Sequence, residues 1–293
     1  MANDKNLIGE VLSASPNRRS LLKKLAMATA AVGAGSTVGA VRAYADPSAP
    51  TAVDVVQFAL NLEYLEAEFY AVATTGETID KLGIGISGMG SSGPTTTMYM
   101  RKVNFSNNTL FTSAVANDIA LDERNHVTLL RGALTAYGHT PIAKPEINLD
   151  ALASAGASLL NEATFLTLSR IFEDIGVTAY AGGSTLLAGS PYLETAARIL
   201  AVEGEHVANI RLQIAKFGLP SPTLDGADVP PPPTGMNFFS TNTKNGLVAV
   251  RTPAEVLYLA YGKANATSGG FFPKGVNGNL HTSGTPATAT NLN

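Results

Sequence analysis

Two of the four histidines in this 293-residue chain stand three residues after a glutamate, in Glu123-Arg124-Asn125-His126 and in Glu203-Gly204-Glu205-His206. Residues three apart share a helix face, so each Glu-x-x-His can aim one carboxylate and one imidazole at a single point. That pair of groups suits a divalent cation. Each motif also has a partner earlier in the chain. Glu63 precedes the first and Glu173 the second, and each is followed seven residues later by a tyrosine, Tyr70 or Tyr180. Seven residues are two helical turns, roughly 10 Å, so each tyrosine stands on its glutamate's face. The order Glu, Glu-x-x-His, then both again, reads as two copies of one helix hairpin.

Six candidate ligands follow: Glu63, Glu123, His126, Glu173, Glu203 and His206. Four carboxylates and two imidazoles suit two divalent metal ions, iron or manganese and also zinc by ligand type, in the core of a four-helix bundle. On this reading Glu123 and Glu203 bridge the ions, Glu63 and Glu173 are terminal, and open positions admit dioxygen or peroxide. Tyr70 and Tyr180 are the catalytic candidates, as donors to the ligands or as one-electron partners. Glu66 lies one turn from Glu63 and competes for its role; the seven-residue offset to tyrosine selects Glu63. Asp122 and Glu205 are placed either to orient the histidines or to face solvent. His139, between Gly138 and Pro141, and His281, in the tail, read as solvent-exposed.

Composition narrows the chemistry. There is no cysteine, which excludes disulfide frameworks, thiolate metal sites and cysteine nucleophiles. The formal net charge of -3 argues against nucleic acid as a partner. Residues 1–45 read as a signal peptide. Arg18 and Arg19 lie in Asn17-Arg18-Arg19-Ser20-Leu21-Leu22-Lys23, which resembles the twin-arginine motif, and an Ala/Gly-rich run ends at Ala43-Tyr44-Ala45. The expectation is handling by the twin-arginine export machinery and cleavage near Ala45, leaving a periplasmic or extracellular protein. Removing residues 1–45 leaves 14 basic and 21 acidic residues.

The elements that must position these groups are legible in outline. Residues 46–220 read as the bundle. Phe58, Leu62, Leu65, Phe69 and Val72 recur at helical spacing over Val53 to Ala73. A Gly/Ser/Thr-rich insertion follows, read as an irregular surface excursion with a short hairpin. Asn107 or Asn108 caps a second helix that stops at Gly138. A long crossover leads to a third helix from Leu159 to Leu187, and Pro191 opens a fourth at its first position, ending before Gly218. Residues 221–293 read as an irregular Pro/Gly-rich tail. Thr252-Pro253-Ala254-Glu255 is a capping box for a short helix, and the tail packs through Leu257, Tyr258 and Phe271 before fraying.

The chain resembles the ferritin-like superfamily, and within it the exported desiccation-related proteins. The resemblance rests on Leu60-Asn61-Leu62-Glu63-Tyr64-Leu65-Glu66-Ala67-Glu68-Phe69-Tyr70, Glu123-Arg124-Asn125-His126, Phe172-Glu173-Asp174-Ile175-Gly176-Val177-Thr178-Ala179-Tyr180 and Glu203-Gly204-Glu205-His206. Arg251-Thr252-Pro253 and Gly269-Gly270-Phe271-Phe272-Pro273-Lys274-Gly275 in the tail add to it. It implies an all-α, ferritin-like antiparallel four-helix bundle with one long crossover. Relatives of that superfamily include ferroxidases, peroxide-reducing enzymes and manganese catalases. Three readings follow: a redox enzyme, a non-catalytic protective protein that keeps the fold, and an iron-storage cage. The last is disfavoured because the insertion and tail would have to fit between packed subunits; a smaller homo-oligomer stays open.

Overall fold

The computed structural model describes residues 49–292, apart from 99, 106–112 and 153–160. The signal-like segment 1–45, the caps expected at Asn107 or Asn108, and the expected helix start at Leu159 lie outside the described residues. Four long helices form the bundle: α1 (Ala52–Thr75), α2 (Ser113–Ala136), α3 (Glu162–Ser184) and α4 (Leu193–Phe217). α1 pairs with α2, α3 pairs with α4, and α1 meets α3 across the core. A shorter helix, α5 (Pro253–Tyr261), docks on α3.

Local chemistry fixes several ends. Thr51 and Asp54 form a capping box at the start of α1, with the Asp54 amide donating to Thr51 Oγ1 over 3.1 Å and the Thr51 amide donating to Asp54 Oδ2 over 2.8 Å. Gly218 ends α4 with a φ of 60°, a left-handed conformation that favours glycine. The expected start of α4 is corrected. Pro191 is not its first residue; the helix begins at Leu193 after Tyr192, which has no side-chain cap. Tyr192 is instead buried, its ring 5.3 Å from that of Tyr137, and this packing sets where the helix can begin.

α1 is the central helix, buried on every side from Val55 to Thr74. A helix without a wet face needs cover all round. Part of that cover is the insertion between α1 and α2, which forms no hairpin among the described residues. Its strand β1 (Thr95–Thr96) pairs in parallel with β2 (Ile147–Asn148) in the crossover, with Thr95 opposite Ile147. Lys144 reinforces the seam: its Nζ donates to the Gly93 carbonyl and to Thr95 Oγ1, each at 2.9 Å.

The rest of the cover is the tail, which does not fray as expected. Leu257 and Phe271 are buried, Tyr258 is half-buried, and Phe271 packs edge-on against Phe172 at 5.1 Å. Beyond them, Asn277 ties three segments together. Its Nδ2 donates to the carbonyls of Ser91 and Ala143, and its backbone amide donates to Asn61 Oδ1 in α1 over 3.0 Å. Asn291 then donates from Nδ2 to the Val250 carbonyl over 2.9 Å.

Three buried arginines pin the 222–251 segment to α3 and α4. Arg170 bridges Asp174 and Asp228. Arg211 bonds Asp174 over 2.7 Å and the carbonyls of Val229, Asn237 and Phe238. Arg251 pairs with Asp225 and donates to Thr178 Oγ1. Among the described residues no helix is long and apolar enough to cross a membrane.

Candidate metal centre

Each of the four long helices delivers side chains to one buried point. α1 brings Glu63, α2 brings Glu123 and His126, α3 brings Glu173, and α4 brings Glu203 and His206. The four glutamates have no exposed surface and each histidine is 6% exposed. His126 Nδ1 lies 3.2 Å from Glu63 Oε2, 3.5 Å from Glu123 Oε2 and 3.6 Å from Glu203 Oε1. His206 Nδ1 lies 3.1 Å from Glu123 Oε1 and 3.2 Å from Glu173 Oε2. All six predicted residues therefore converge. They fall into two groups, Glu63-Glu123-His126-Glu203 and Glu123-Glu173-His206, with the donor atoms of each within 4.8 Å of one another. Glu123 belongs to both, one oxygen facing each histidine. Glu203 belongs to the first alone.

The donor set fits a cation. Glu63 Oε2, both oxygens of Glu123 and of Glu203, Glu173 Oε2 and both histidine Nδ1 atoms are buried without a hydrogen-bond partner. Buried polar atoms are almost always paired, and these unpaired ones all point inward at each other. Without a cation, protons must balance the charge. Burial alone would lower the pKa of His126, but the Glu63 and Glu123 carboxylates outweigh it and push it up to about 12. His206 is driven to about 12 against the same burial by Glu173 and Glu123. Burial works to raise Glu123, yet contact with both imidazoles holds it down at about 2. Glu203 is pushed well up, first by burial and then by the neighbouring carboxylates. The metal-free cluster thus keeps protons where cation charge would sit.

The tyrosines cross between the two halves of the repeat. Tyr70 of α1 donates its hydroxyl to Glu173 of α3, and Tyr180 of α3 donates to Glu63 of α1. Each tyrosine lies about 10 Å along the axis from its own glutamate. Antiparallel α1 and α3 bring each level with the other helix's glutamate. Burial and the adjacent carboxylates push both phenols well above their usual range, so they stay protonated donors. Asp122 reaches across to His206, with Oδ2 3.2 Å from Nε2. Glu205 is exposed, and among the described residues it makes no matching contact with His126. His139 and His281 are exposed.

Three glutamates of α1 have three different settings. Glu63 faces His126. Glu68 accepts from the Ile79 amide over 3.2 Å and faces Lys144 Nζ at 3.5 Å, holding the insertion and crossover. Glu66, set aside on sequence grounds, is 4% exposed and borders the cluster. Its carboxyl is pushed well up, chiefly by burial and then by Glu203 and Glu123. Room for it comes from Gly176 in α3. A Cβ there would lie 2.5 Å from Glu203 Oε2 and 3.3 Å from Glu66 Oε1. Gly176 stands three residues after Glu173, and that offset was the available sequence signal for a small residue facing the site.

Residues 51–216 match the model of the ferritin-like domain family. Two relatives are similar at lower identity. The ferritin-like catalase Nec2 of Nesocodon mauritianus is 25% identical, over 78% of this chain and 84% of the relative. The desiccation-related protein PCC13-62 of Craterostigma plantagineum is 28% identical, over 54% of this chain and 51% of the relative. With the domain match spanning more than half of the chain, and four helices converging on a buried Glu/His cluster, the protein belongs to the ferritin-like family.

Proposed function

We propose that the cluster holds two divalent ions, iron or manganese, and that the protein removes peroxide. The observation that carries this reading is Glu123, whose two oxygens each face one histidine among donor atoms that lack other partners. Glu63 and His126 would hold one ion, Glu173 and His206 the other, with Glu123 shared and Glu203 on the first. When bound, such ions supply Lewis acidity and two electrons for peroxide chemistry. The chain's own part is to fix those ligands, to hold Glu63 and Glu173 in place through Tyr180 and Tyr70, and to keep water out with α1 and its cover. The name of the relative spanning most of the chain, a ferritin-like catalase, favours peroxide over ferrous iron as substrate. The motif around Arg18 and Arg19 supports work outside the cytoplasm after twin-arginine export.

Metal analysis and an oxygen electrode test this reading. Protein loaded with manganese or iron should carry about two ions per chain, release oxygen from added hydrogen peroxide, and lose both properties on Glu123→Ala. Failure to bind either metal refutes it. A second reading, a non-catalytic protective protein, is favoured by the similarity to a desiccation-related protein. Full metal loading without consumption of peroxide or dioxygen would select it.

A further inference from the structure

A second compartment adjoins the cluster. α1, α3, α5 and the 222–224 segment, with Leu152 and Phe271, line a cavity of about 490 Å³, a size that accommodates an organic molecule. Its walls are mostly apolar, with Leu65, Ile171, Phe172, Leu224 and Leu259 among them. Glu66 is the one ionisable side chain among the described lining residues. It is 4% exposed, and its carboxyl makes no hydrogen bond or ion pair among the described residues. Glu66 thus offers the cavity a largely buried carboxyl that a polar group of an occupant can pair with. Glu66 and Glu203 flank the same point above Gly176, so this carboxyl stands between the cavity and the metal ligands.

The surroundings select the chemistry of an occupant. Apolar walls favour a hydrocarbon or aromatic body. A carboxylate end would add negative charge beside five buried glutamates; an ammonium would be attracted by them but would give up its water for walls on which Glu66 is the one carboxyl within reach of its three donors. A hydroxyl both donates and accepts, and so satisfies Glu66 in either protonation state. We propose that this cavity binds an apolar molecule ending in a hydroxyl group, with that hydroxyl hydrogen-bonded to Glu66 beside the Glu/His cluster. The proposal goes beyond peroxide removal and does not depend on it: it makes the compartment a site for a second class of ligand.

The test is calorimetric titration of the full chain, metal-loaded and metal-depleted, with 1-decanol, decanoate and decylamine. Expected is saturable binding of 1-decanol at one site in both forms, with the two charged probes weaker by about tenfold or more. Leu259→Trp fills the cavity from the α5 side and should abolish 1-decanol binding while metal content stays at the wild-type level. Ile171→Phe is the second filling variant, should the first fail to fold. Glu66→Leu should weaken 1-decanol by about tenfold, and Glu66→Gln, which still hydrogen-bonds, by less. No 1-decanol binding to the wild type, or binding that survives a folded filling variant, would overturn the site. Tighter binding of decanoate or decylamine would overturn the hydroxyl assignment. Because metal content is read separately, loss of the metal reading and loss of this one are distinguishable.

Discussion

Gly176→Ala should separate the stability of the helix from the function of the site, because the two respond in opposite directions. Gly176 lies inside α3, where alanine is favoured over glycine by about 1 kcal/mol. Its φ is not left-handed, so the backbone accepts a side chain. The obstacle is Glu203. A new Cβ would meet its Oε2 at 2.5 Å, about 0.9 Å inside the 3.4 Å at which ordinary contact begins. In the metal-free protein the carboxylate end of Glu203 can swing by that amount, and the helix gain offsets the cost. The metal-free protein should therefore unfold within about 1 kcal/mol of the wild type. A ligand displaced by about 0.9 Å no longer meets the roughly 0.5 Å tolerance of a working site. Metal affinity should fall by about 10–100-fold, equivalent to roughly 1.4–2.7 kcal/mol.

Two measurements on one preparation suffice: chelator competition for affinity, and denaturant unfolding with and without metal. The metal-dependent increment in stability should shrink by the same free energy as the affinity loss. Undiminished affinity in the variant would refute the assignment of Glu203 to the site. A metal-free protein destabilised by more than about 2 kcal/mol would show instead that the space above Gly176 cannot relax, and that the glycine is there for packing.

Further outcomes follow from the same geometry. Tyr180→Phe removes the donor to Glu63 without changing the shape of the core, and should weaken metal binding by about 10-fold or more while unfolding stays two-state; competition titration measures it. Metal loading must displace the protons on His126 and His206, both held up to about 12 in the metal-free protein. Falling pH strengthens that competition, so affinity should drop as pH drops, and calorimetry in buffers of different ionisation enthalpy should count about two protons or more released per loaded chain. Arg211→Ala strips Asp174 and three carbonyls of a donor and should cost about 3–5 kcal/mol in denaturant unfolding, with faster proteolysis between Val229 and Phe238. Glu68→Ala should leave metal content intact while destabilising the protein, since Glu68 serves Lys144 and Ile79 rather than the cluster.

The site was more legible in the sequence than the body that surrounds it. Six candidate ligands on four helices obey short, fixed spacings, and spacing alone is enough to put Glu123 and His126 on one face. The α5 capping box was equally local, with Thr252 and Glu255 bonding each other's backbone amides. What escaped the sequence depends on partners far along the chain. Glu66 and Glu68 look alike on α1, and only the positions of Gly176 and Lys144 separate their roles. β1 finds its strand partner in the crossover rather than beside it, because Lys144 and the Ile147 amide satisfy that edge. Pro191 is an acceptable first helical residue, but burial of Tyr192 against Tyr137 outweighs that local preference. The tail is rich in residues that favour disorder, yet Asn277 and Asn291 spend their side chains on backbone groups of the folded body.

Asn277 has a consequence for the order of events in folding. Asn61, in the first helix of the bundle, exchanges hydrogen bonds with a residue 216 positions later. While the chain is being made, α1 can pair with α2 long before that partner exists. Through that interval Asn61 keeps only its bond to the Gln57 carbonyl within α1, and the back of the helix lacks its native cover. Native closure of the central helix therefore waits until Asn277 has left the ribosome, and contacts of such long span are slow to form. The segment around Asn277 thus acts as a latch on the first helix, and synthesis interrupted before it should leave an open bundle with its core exposed rather than a smaller finished one.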